Sequence, residues 1–426
     1  MKVISEHHPD DAWDARQRLI DGWDADKIRN ANIFVMGAGA LGNETLKNLA
    51  LLGNGYVFNA DLDTIELSNL TRTVLFTQKD IGKEKSPLAV KRYLDMNLEP
   101  TAAADTFTGD IVYELGDGVF RRMDMVLGCL DNTETRMYAN GICMRYNIPY
   151  IDAGINGLNY NLRVMKGHSY GCYACNAAAY KLEDRFRMSC NVTQKKAAAQ
   201  GKIATVQCAS AIASGMQVQE AMKILCGMNP EYGIEIHYQG LGGFMDKFRI
   251  PRDENCIHHL QPERSEVIET PLSADNTLKE FLEYTAFYEK QHYEAGERCD
   301  ILTVASDKLR NFVTDVRCPS CGKTVRINKP LYRVYEADFY CSECSSDPVK
   351  AREHNFENAV TSTAVLAYSL ESTPEILQKL TLKELGIPAL HVLAVRNEEG
   401  TREHYYELTG DLEAVMPAYA HKHVDS

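Results

Sequence analysis

Over the first half of the chain, short apolar runs alternate with stretches whose apolar residues recur at helical spacing. Ile33 to Met36 reads as a buried strand, and Gly55 to Ala60, Met125 to Leu130 and Pro149 to Ala153 read the same way. Between them Leu46 to Leu52, Pro87 to Met96 and Thr133 to Tyr146 predict helices, as does the long stretch Ile203 to Gly227. An amphipathic helix is expected over Trp13 to Ala31, ahead of the first strand. Such alternation predicts an α/β fold, a mixed and mostly parallel sheet with helices on both faces. The pattern changes near Cys256, where Pro251, Pro262 and Pro271 punctuate a polar connector. The expected domains are therefore 1–265 and 266–412, followed by a flexible tail, 413–426. In the second, Thr277 to Tyr288 reads as a helix and Ile301 to Val304, His391 to Val395 and His404 to Leu408 as strands, which predicts a small α+β domain.

Composition narrows the function classes. The 426 residues suffice for two or three cores, and 45% hydrophobic with 25% charged residues is ordinary for globular protein. A net charge of −13 argues against a nucleic-acid partner. The first residues lack an apolar signal core and no run reaches membrane-span length, so a cytoplasmic protein without a membrane partner is expected. The 13 cysteines then point to metal binding or catalysis rather than disulfides.

The richest segment is Ile33 to Phe76. A strand runs into Gly37-Ala38-Gly39-Ala40-Leu41-Gly42, a glycine turn that opens a helix, and a second strand ends at Asp61. This is the Rossmann-like strand–turn–helix–strand arrangement for nucleotides. Gly37, Gly39 and Gly42 admit a phosphate or ribose close to the backbone, and the helix N-terminus favours anions. Asp61 stands 19 residues after Gly42, where a carboxylate holds ribose hydroxyls. A plain dinucleotide site would need little more. Here Arg72 and Lys85 follow, cations that clamp phosphates and neutralise charge developing as a phosphorus–oxygen bond breaks. Asp131 closes another strand at the same sheet edge, a hard carboxylate suited to Mg2+. Its bland alternative is the N-cap of the helix beginning near Thr133, as a solvated helix lysine is for Lys85. Together these groups fit a site that cleaves a nucleoside triphosphate.

Cysteine spacing adds a second chemistry. Cys318 and Cys321, then Cys341 and Cys344, form two CxxC knuckles 19 residues apart, with Gly322 after the first. Four thiolates so spaced make a closed tetrahedral Zn2+ site, a zinc ribbon over 316–346. Cys172 and Cys175 form a third CxxC, and Cys256-Ile257-His258-His259 lies far downstream.

GAGALGNE (37–44), DLDTIELSNLTR (61–72) and CLDNTETR (129–136) resemble the ubiquitin-activating (ThiF/MoeB) superfamily, which includes bacterial adenylyltransferases for sulfur-carrier proteins. The resemblance runs from about Trp13 to Gly227. It implies ATP-dependent adenylation of the C-terminal glycine of a ubiquitin-like protein. By position it implies that Asp61 holds the ribose with Asp63 beside it, that Asn69, Arg72 and Lys85 meet the phosphates, and that Asp131 binds Mg2+. Trp13-Asp14-Ala15-Arg16-Gln17 is similar to the family's aromatic-x-x-Arg-Gln opening, whose arginine reaches the opposite subunit's ATP, so Arg16 implies a homodimer. Relatives carry paired CxxC ligands at matching places, which implies a structural Zn2+ site of Cys172, Cys175, Cys256 and His259, with His258 as the other histidine choice.

An acyl adenylate can pass to a thiol, and Cys190 is the expected nucleophile, in a loop of about 176–202 with Arg185 and Arg187 nearby. The family places its thiol in this region in compact enzymes. Cys208, near a helix start, is the alternative, and enzymes that stop at the adenylate need neither. Thr381 to Ile387 resembles part of the family's C-terminal ubiquitin-fold (β-grasp) domain, which recruits a conjugating enzyme. The zinc ribbon would be an insertion in it. The expectation is a compact activating enzyme using ATP, Mg2+ and two structural Zn2+ ions, of a prokaryotic, by analogy antiviral, ubiquitin-like pathway. The alternatives are a sulfur-carrier adenylyltransferase without conjugating-enzyme transfer and an inactive scaffold subunit.

Overall fold

The computed structural model describes residues 12–176, 205–261, 263–303, 311–317, 321–334, 363–365 and 367–424. Helix α1 spans Ala25–Asn30 and strand β1 Asn32–Met36. Helix α2 (Ala40–Leu52) ends on left-handed Gly53 and leads to β2 (Tyr56–Ala60). There follow α3 (Lys85–Met96), β3 (Ala103–Phe107), α4 (Asp117–Arg121), β4 (Met125–Gly128), α5 (Thr133–Arg145), β5 (Tyr150–Asn156) and β6 (Asn159–Met165). Then come α6 (Gln207–Cys226), β7 (Ile234–Gln239) and β8 (Phe244–Arg249). The eight strands form one sheet in the order β3-β2-β1-β4-β5-β6-β7-β8, parallel from β3 to β5 and antiparallel beyond. The expected mixed, mostly parallel sheet is therefore present.

After Asn32, β1 is apolar because it is buried on both faces. Ile33 and Val35 pack with Leu46, Leu49, Val57, Tyr93 and Val218 beneath α2, α3 and α6. Phe34 and Met36 face the other layer, where Phe34 meets Phe58 and Phe120 edge-on at 5.1 and 5.0 Å between ring centroids. The long helix expected over Trp13 to Ala31 is instead a 3-10 turn (Gln17–Leu19) and α1. Gly22 takes φ +81°, and Asp24 caps α1 by accepting the Lys27 N–H at 3.0 Å.

The second unit is α+β. Its sheet joins β9 (Ile268–Thr270), β10 (Ile301–Thr303), β14 (Ala367–Tyr368), β15 (Val392–Arg396) and β16 (Glu403–Leu408) in the order β14-β10-β15-β16-β9. Helix α7 (Leu278–His292), started by a Thr277/Glu280 capping box, buries Leu278, Phe281 and Leu282 against this sheet. β11 (Phe312–Arg317), β12 (Thr324–Pro330) and β13 (Thr363–Val365) make a separate three-stranded sheet. Of the expected zinc-ribbon ligands only Cys321 is described, exposed beside the β11–β12 turn; Cys318, Cys341 and Cys344 lie outside the described residues.

The two units meet at α4. The Gly118 N–H donates to Leu390 O at 2.8 Å, an approach that a Cβ would block, since it would stand 2.5 Å from that oxygen. Buried Glu407 of β16 pairs with both Arg121 and Arg122. Asp117 pairs with His391 at 2.6 Å and faces Arg264 and Arg145 at 3.5 and 3.6 Å. Burial alone would raise the Asp117 pKa, but these partners outweigh it and hold the carboxyl below the usual range. The contribution of Asp117 to docking is thus present above its ordinary pKa of 3.8 and is lost as pH falls through its lowered folded value. Glu407→Gln, which strands two half-sequestered guanidinium groups, is expected to cost on the order of 3 kcal/mol in urea unfolding. A loss under about 1 kcal/mol would show that the pairs are merely surface-like.

The end of the chain differs from the flexible tail expected. After two short helices, α8 (Glu375–Gln378) and α9 (Leu412–Val415), helix α10 spans Pro417–Val424. It returns to the first unit, where Asp105 of β3 accepts the N–H groups of Ala418 and Tyr419 at 3.0 and 2.9 Å, and Met416 is buried. The docking depends on a carboxylate far away in the sequence, Asp105 on the edge strand, which caps the helix.

Candidate functional site

The chain fills the sheet outward from β1 to β3 and then restarts at β4 on the other side of β1. The carboxyl ends of β1 and β4 therefore flank a topological switch point, the crevice where open α/β sheets bind ligands. The glycine turn follows β1 and Asp131 follows β4, so the fold brings the two expected halves of the site to one edge.

The turn is tightly specified. Gly37 has φ +98°, and a Cβ there would lie 2.8 Å from Cys129 O; a Cβ on Gly42 would lie 2.0 Å from Gly37 O. Gly39 faces open space, leaving its backbone approachable by a ligand. Asp61, half-buried at the end of β2, accepts the Ala38 N–H at 2.6 Å and the Asp63 N–H at 2.8 Å. Burial raises its pKa, with the Lys85 charge and these two N–H groups pulling the other way.

Lys85 is the first residue of α3. Its side chain is 9% exposed and its Nζ lies 2.8 Å from a carboxylate oxygen of Asp63, which is 57% exposed. Buried Asn69 commits its amide oxygen to the Glu66 N–H at 2.9 Å, so any phosphate contact falls to its NH2 group. Arg72 donates to Ser68 O at 2.6 Å across the same turn. Asp131 is exposed, and Asn132 rather than Asp131 caps α5, accepting the Thr135 N–H at 2.8 Å. The capping alternative for Asp131 is thereby removed. An exposed carboxylate opposite the glycine turn fits Mg2+, which keeps several waters and shares phosphate oxygens. Arg16 is exposed on the 3-10 turn before α1.

Several residues that brace this edge escape a reading by motif. Asn43 donates to Ala38 O and Gly39 O at 2.7 and 3.1 Å and accepts the Leu75 N–H at 2.9 Å. It ties the glycine turn to the segment that carries Arg72. Arg136 ties the β4 end to β5 by donating to Leu130 O and, at 3.0 Å, to Ala153 O. An amide directly after the third glycine and an arginine one turn into α5 were the only signals available.

Cys172, Cys175, Cys256 and His259 converge although 80 residues separate the halves; their ligand atoms all lie within 4.8 Å of one another. Cys172 Sγ is 3.7 Å from both Cys175 Sγ and Cys256 Sγ, and His259 Nδ1 is 3.4 Å from Cys175 Sγ. Tetrahedral zinc with Zn–S bonds of ~2.3 Å sets its sulfurs ~3.8 Å apart, so the donor set fits Zn2+. His258 points elsewhere, with Nδ1 2.6 Å from Asn140 Nδ2 in the core. A second group, Glu289, Cys299 and His404, also lies close together. There the carboxylate is already saturated by His404 Nδ1 at 2.7 Å, the Cys299 N–H at 3.0 Å and the Tyr406 hydroxyl, so it reads as a buried hydrogen-bond network.

Of the thiols outside the four-ligand cluster, burial pushes Cys129 up to about 12 and Cys299 up to about 11, which makes both poor nucleophiles. Cys208 is exposed in the first turn of α6. Cys190 and most of its loop lie outside the described residues.

The sheet and its switch-point edge define a Rossmann-like α/β protein with charged side chains along that edge. A family model described as the ThiF family matches residues 15–258, and the chain belongs to that family. It is 35% identical over 155 residues to SUMO-activating enzyme subunit 2 of Dictyostelium discoideum, covering 36% of this chain and 23% of that one. It is 36% identical over 167 residues to the sulfur carrier protein ThiS adenylyltransferase of Escherichia coli K12, covering 38% and 65%. The chain thus matches about a quarter of the first relative's length and just under two thirds of the second's. The microcin C7 biosynthetic enzyme MccB in complex with N-formylated MccA shares the fold, with a TM-score of 0.50 at 22% identity over 60% of this chain and 77% of that one.

Proposed function

We propose that this protein uses ATP to adenylate the C-terminal carboxylate of a ubiquitin-like protein and then captures the acyl group on a cysteine. The observation that carries the reading is the glycine turn with Asp61 bonded to it and the Lys85–Asp63 pair nearby, at the sheet edge where Asp131 follows β4. In the first step a carboxylate oxygen of the modifier attacks the α-phosphorus. That oxygen–phosphorus bond forms, the bond from the α-phosphorus to the bridging oxygen breaks, and pyrophosphate leaves with the electron pair. Lys85 and Arg72 stabilise the charge that accumulates on the phosphates. Asp61 holds the ribose, and the α2 N-terminus faces the anion. Mg2+, held by Asp131, would supply further charge neutralisation. In the second step the Cys190 thiolate attacks the acyl carbon, AMP leaves, and a thioester remains.

Other features support the finer parts of this reading. Arg16 is exposed beside exposed Leu19, Ile20 and Leu51, and Gln17 Nε2 donates to Leu51 O at 3.1 Å, so these side chains share one surface suited to a second copy. The α+β unit, a helix against a five-stranded sheet, supports a ubiquitin-fold domain that receives a conjugating enzyme. The Cys172–His259 cluster and the CxxC pairs at Cys318 and Cys341 are taken as structural Zn2+ sites. Among the described residues no helix is long and apolar enough to cross a membrane.

The test is ATP–pyrophosphate exchange with a candidate ubiquitin-like protein, followed by non-reducing gels. Cys190→Ala should retain exchange and lose a thiol-sensitive adduct seen in the wild type. Exchange without any adduct in the wild type would favour the sulfur-carrier type of enzyme. An adduct that persists in Cys190→Ala would move the nucleophile to Cys208 or another thiol, and no exchange would sink the adenylation reading for that modifier.

A further inference from the structure

One side chain outside every motif bonds to β4, β5 and α2 beside the switch point. Gln217, in the middle of α6, is completely buried. Its Nε2 donates to Gly128 O at 3.0 Å, the last residue of β4, and to Ile151 O at 2.8 Å in β5. Its Oε1 accepts from Thr45 Oγ1 of α2 at 3.1 Å and from Cys129 Sγ at 3.4 Å. Thr45 is bonded in turn to Ser214 of α6 at 2.9 Å. A single amide thus ties α6 to the carbonyls of two neighbouring parallel strands, Gly128 O at the end of β4 and Ile151 O near the start of β5. Buried among apolar side chains, such a group costs too much to leave half-paired, so its geometry is rigid.

The position of this clamp gives it a consequence beyond stability. Asp131 stands three residues past Gly128, and the Cys129 carbonyl forms the wall on which Gly37 packs. The register of the β4 end therefore fixes both the exposed carboxylate and the glycine turn that faces it. We propose that Gln217 is a positioning residue that sets Asp131 against the glycine turn, so that a metal-complexed triphosphate is held better than the free one. This rests on the nucleotide reading of the site. It extends that reading to a residue on the helix that follows the Cys190 loop.

The experiment is equilibrium binding of α,β-methylene-ATP to the full-length protein, once in Mg2+ and once in EDTA, which needs no modifier and no turnover. The wild type should bind more tightly in Mg2+. Gln217→Met, close in volume but without donors, should match wild-type affinity in EDTA and lose the Mg2+ gain by on the order of tenfold, as an outer-shell change does. Thr45→Val removes a bond from the same buried network while leaving both strand carbonyls clamped. It should lower the melting temperature yet keep the Mg2+ gain. Equal gains in wild type and Gln217→Met, or equal losses in Gln217→Met and Thr45→Val, would overturn the positioning role. If Gln217→Met does not fold, Gln217→Glu decides, because its buried neutral carboxyl offers one donor to two carbonyls. A full Mg2+ gain in Gln217→Glu would overturn the proposal and a reduced one support it. A wild type that binds no nucleotide in either medium would overturn the adenylation reading itself, and the positioning role with it.

Discussion

Lys85→Ala is expected to lower ATP–pyrophosphate exchange by about 10²- to 10³-fold, the loss typical of removing one preorganised charge from a developing anion. The structure makes this a clean test. Lys85 opens α3, where alanine is the best helix former, so the helix should survive. Its partner Asp63 is mostly exposed and will simply hydrate when the lysine is gone. Folding should therefore be nearly unchanged, and circular dichroism with thermal unfolding will show whether it is. Lys85→Arg should not restore exchange, because a planar fork does not fit where a compact ammonium is nearly enclosed. Arg72→Ala is expected to act in the same direction. Exchange within about threefold of the wild type for Lys85→Ala would mean that the buried ammonium serves only the fold.

Loss of the four-ligand cluster is the other large expected effect. Cys256→Ser or His259→Ala should release one equivalent of metal per chain relative to the wild type. Either should lower the melting temperature on the order of 10 °C, since a structural metal contributes folding free energy outright and ~1 kcal/mol is worth ~2–4 °C in a domain of this size. The cluster joins the segment after β6 to the connector after β8, so its loss unties two segments that α6, β7 and β8 separate in the chain. His258→Ala provides the contrast. It removes a core contact with Asn140 and should destabilise the protein, but the metal content should stay at the wild-type level. Atomic absorption on the purified proteins reads all three. Full metal content in Cys256→Ser would remove the cluster as a metal site.

How much of this was legible in the sequence depended on whether a signal was local. The strand from Asn32 to Met36, the glycine turn and the helix after it announce themselves because a strand buried on both faces must be apolar and a turn around a phosphate must be glycine. β6 and β7 were missed because, partly exposed, they alternate polar and apolar residues. β8 was missed because all six of its residues are exposed on the edge of the sheet. The first helix was drawn too long because Gly22 and Asp24 stop an otherwise amphipathic pattern.

The candidate site divides along the same line. Asp61, Lys85 and Asp131 are candidates from the sequence alone, since each stands at an element boundary marked by its own neighbours. Between adjacent histidines the resemblance favours His259, and the structure turns His259 rather than His258 toward the cysteines. Asp131 or Asn132 as helix cap, and His258 or His259 as ligand, differ by one residue in sequence and by a full change of direction in space. The same holds for Gln217, whose partners lie in β4, β5 and α2, far away along the chain.

The sequence alone determined the class of fold, the glycine-turn edge and the candidate residues along it, because periodicity and backbone chemistry act over a few residues. Tertiary structure decided which side chains converge, how α10 and the second unit dock on the first, and which buried amide clamps the strand ends. Those outcomes depend on burial and on partners brought together from distant segments, where a polar group must find its hydrogen bond or pay for desolvation.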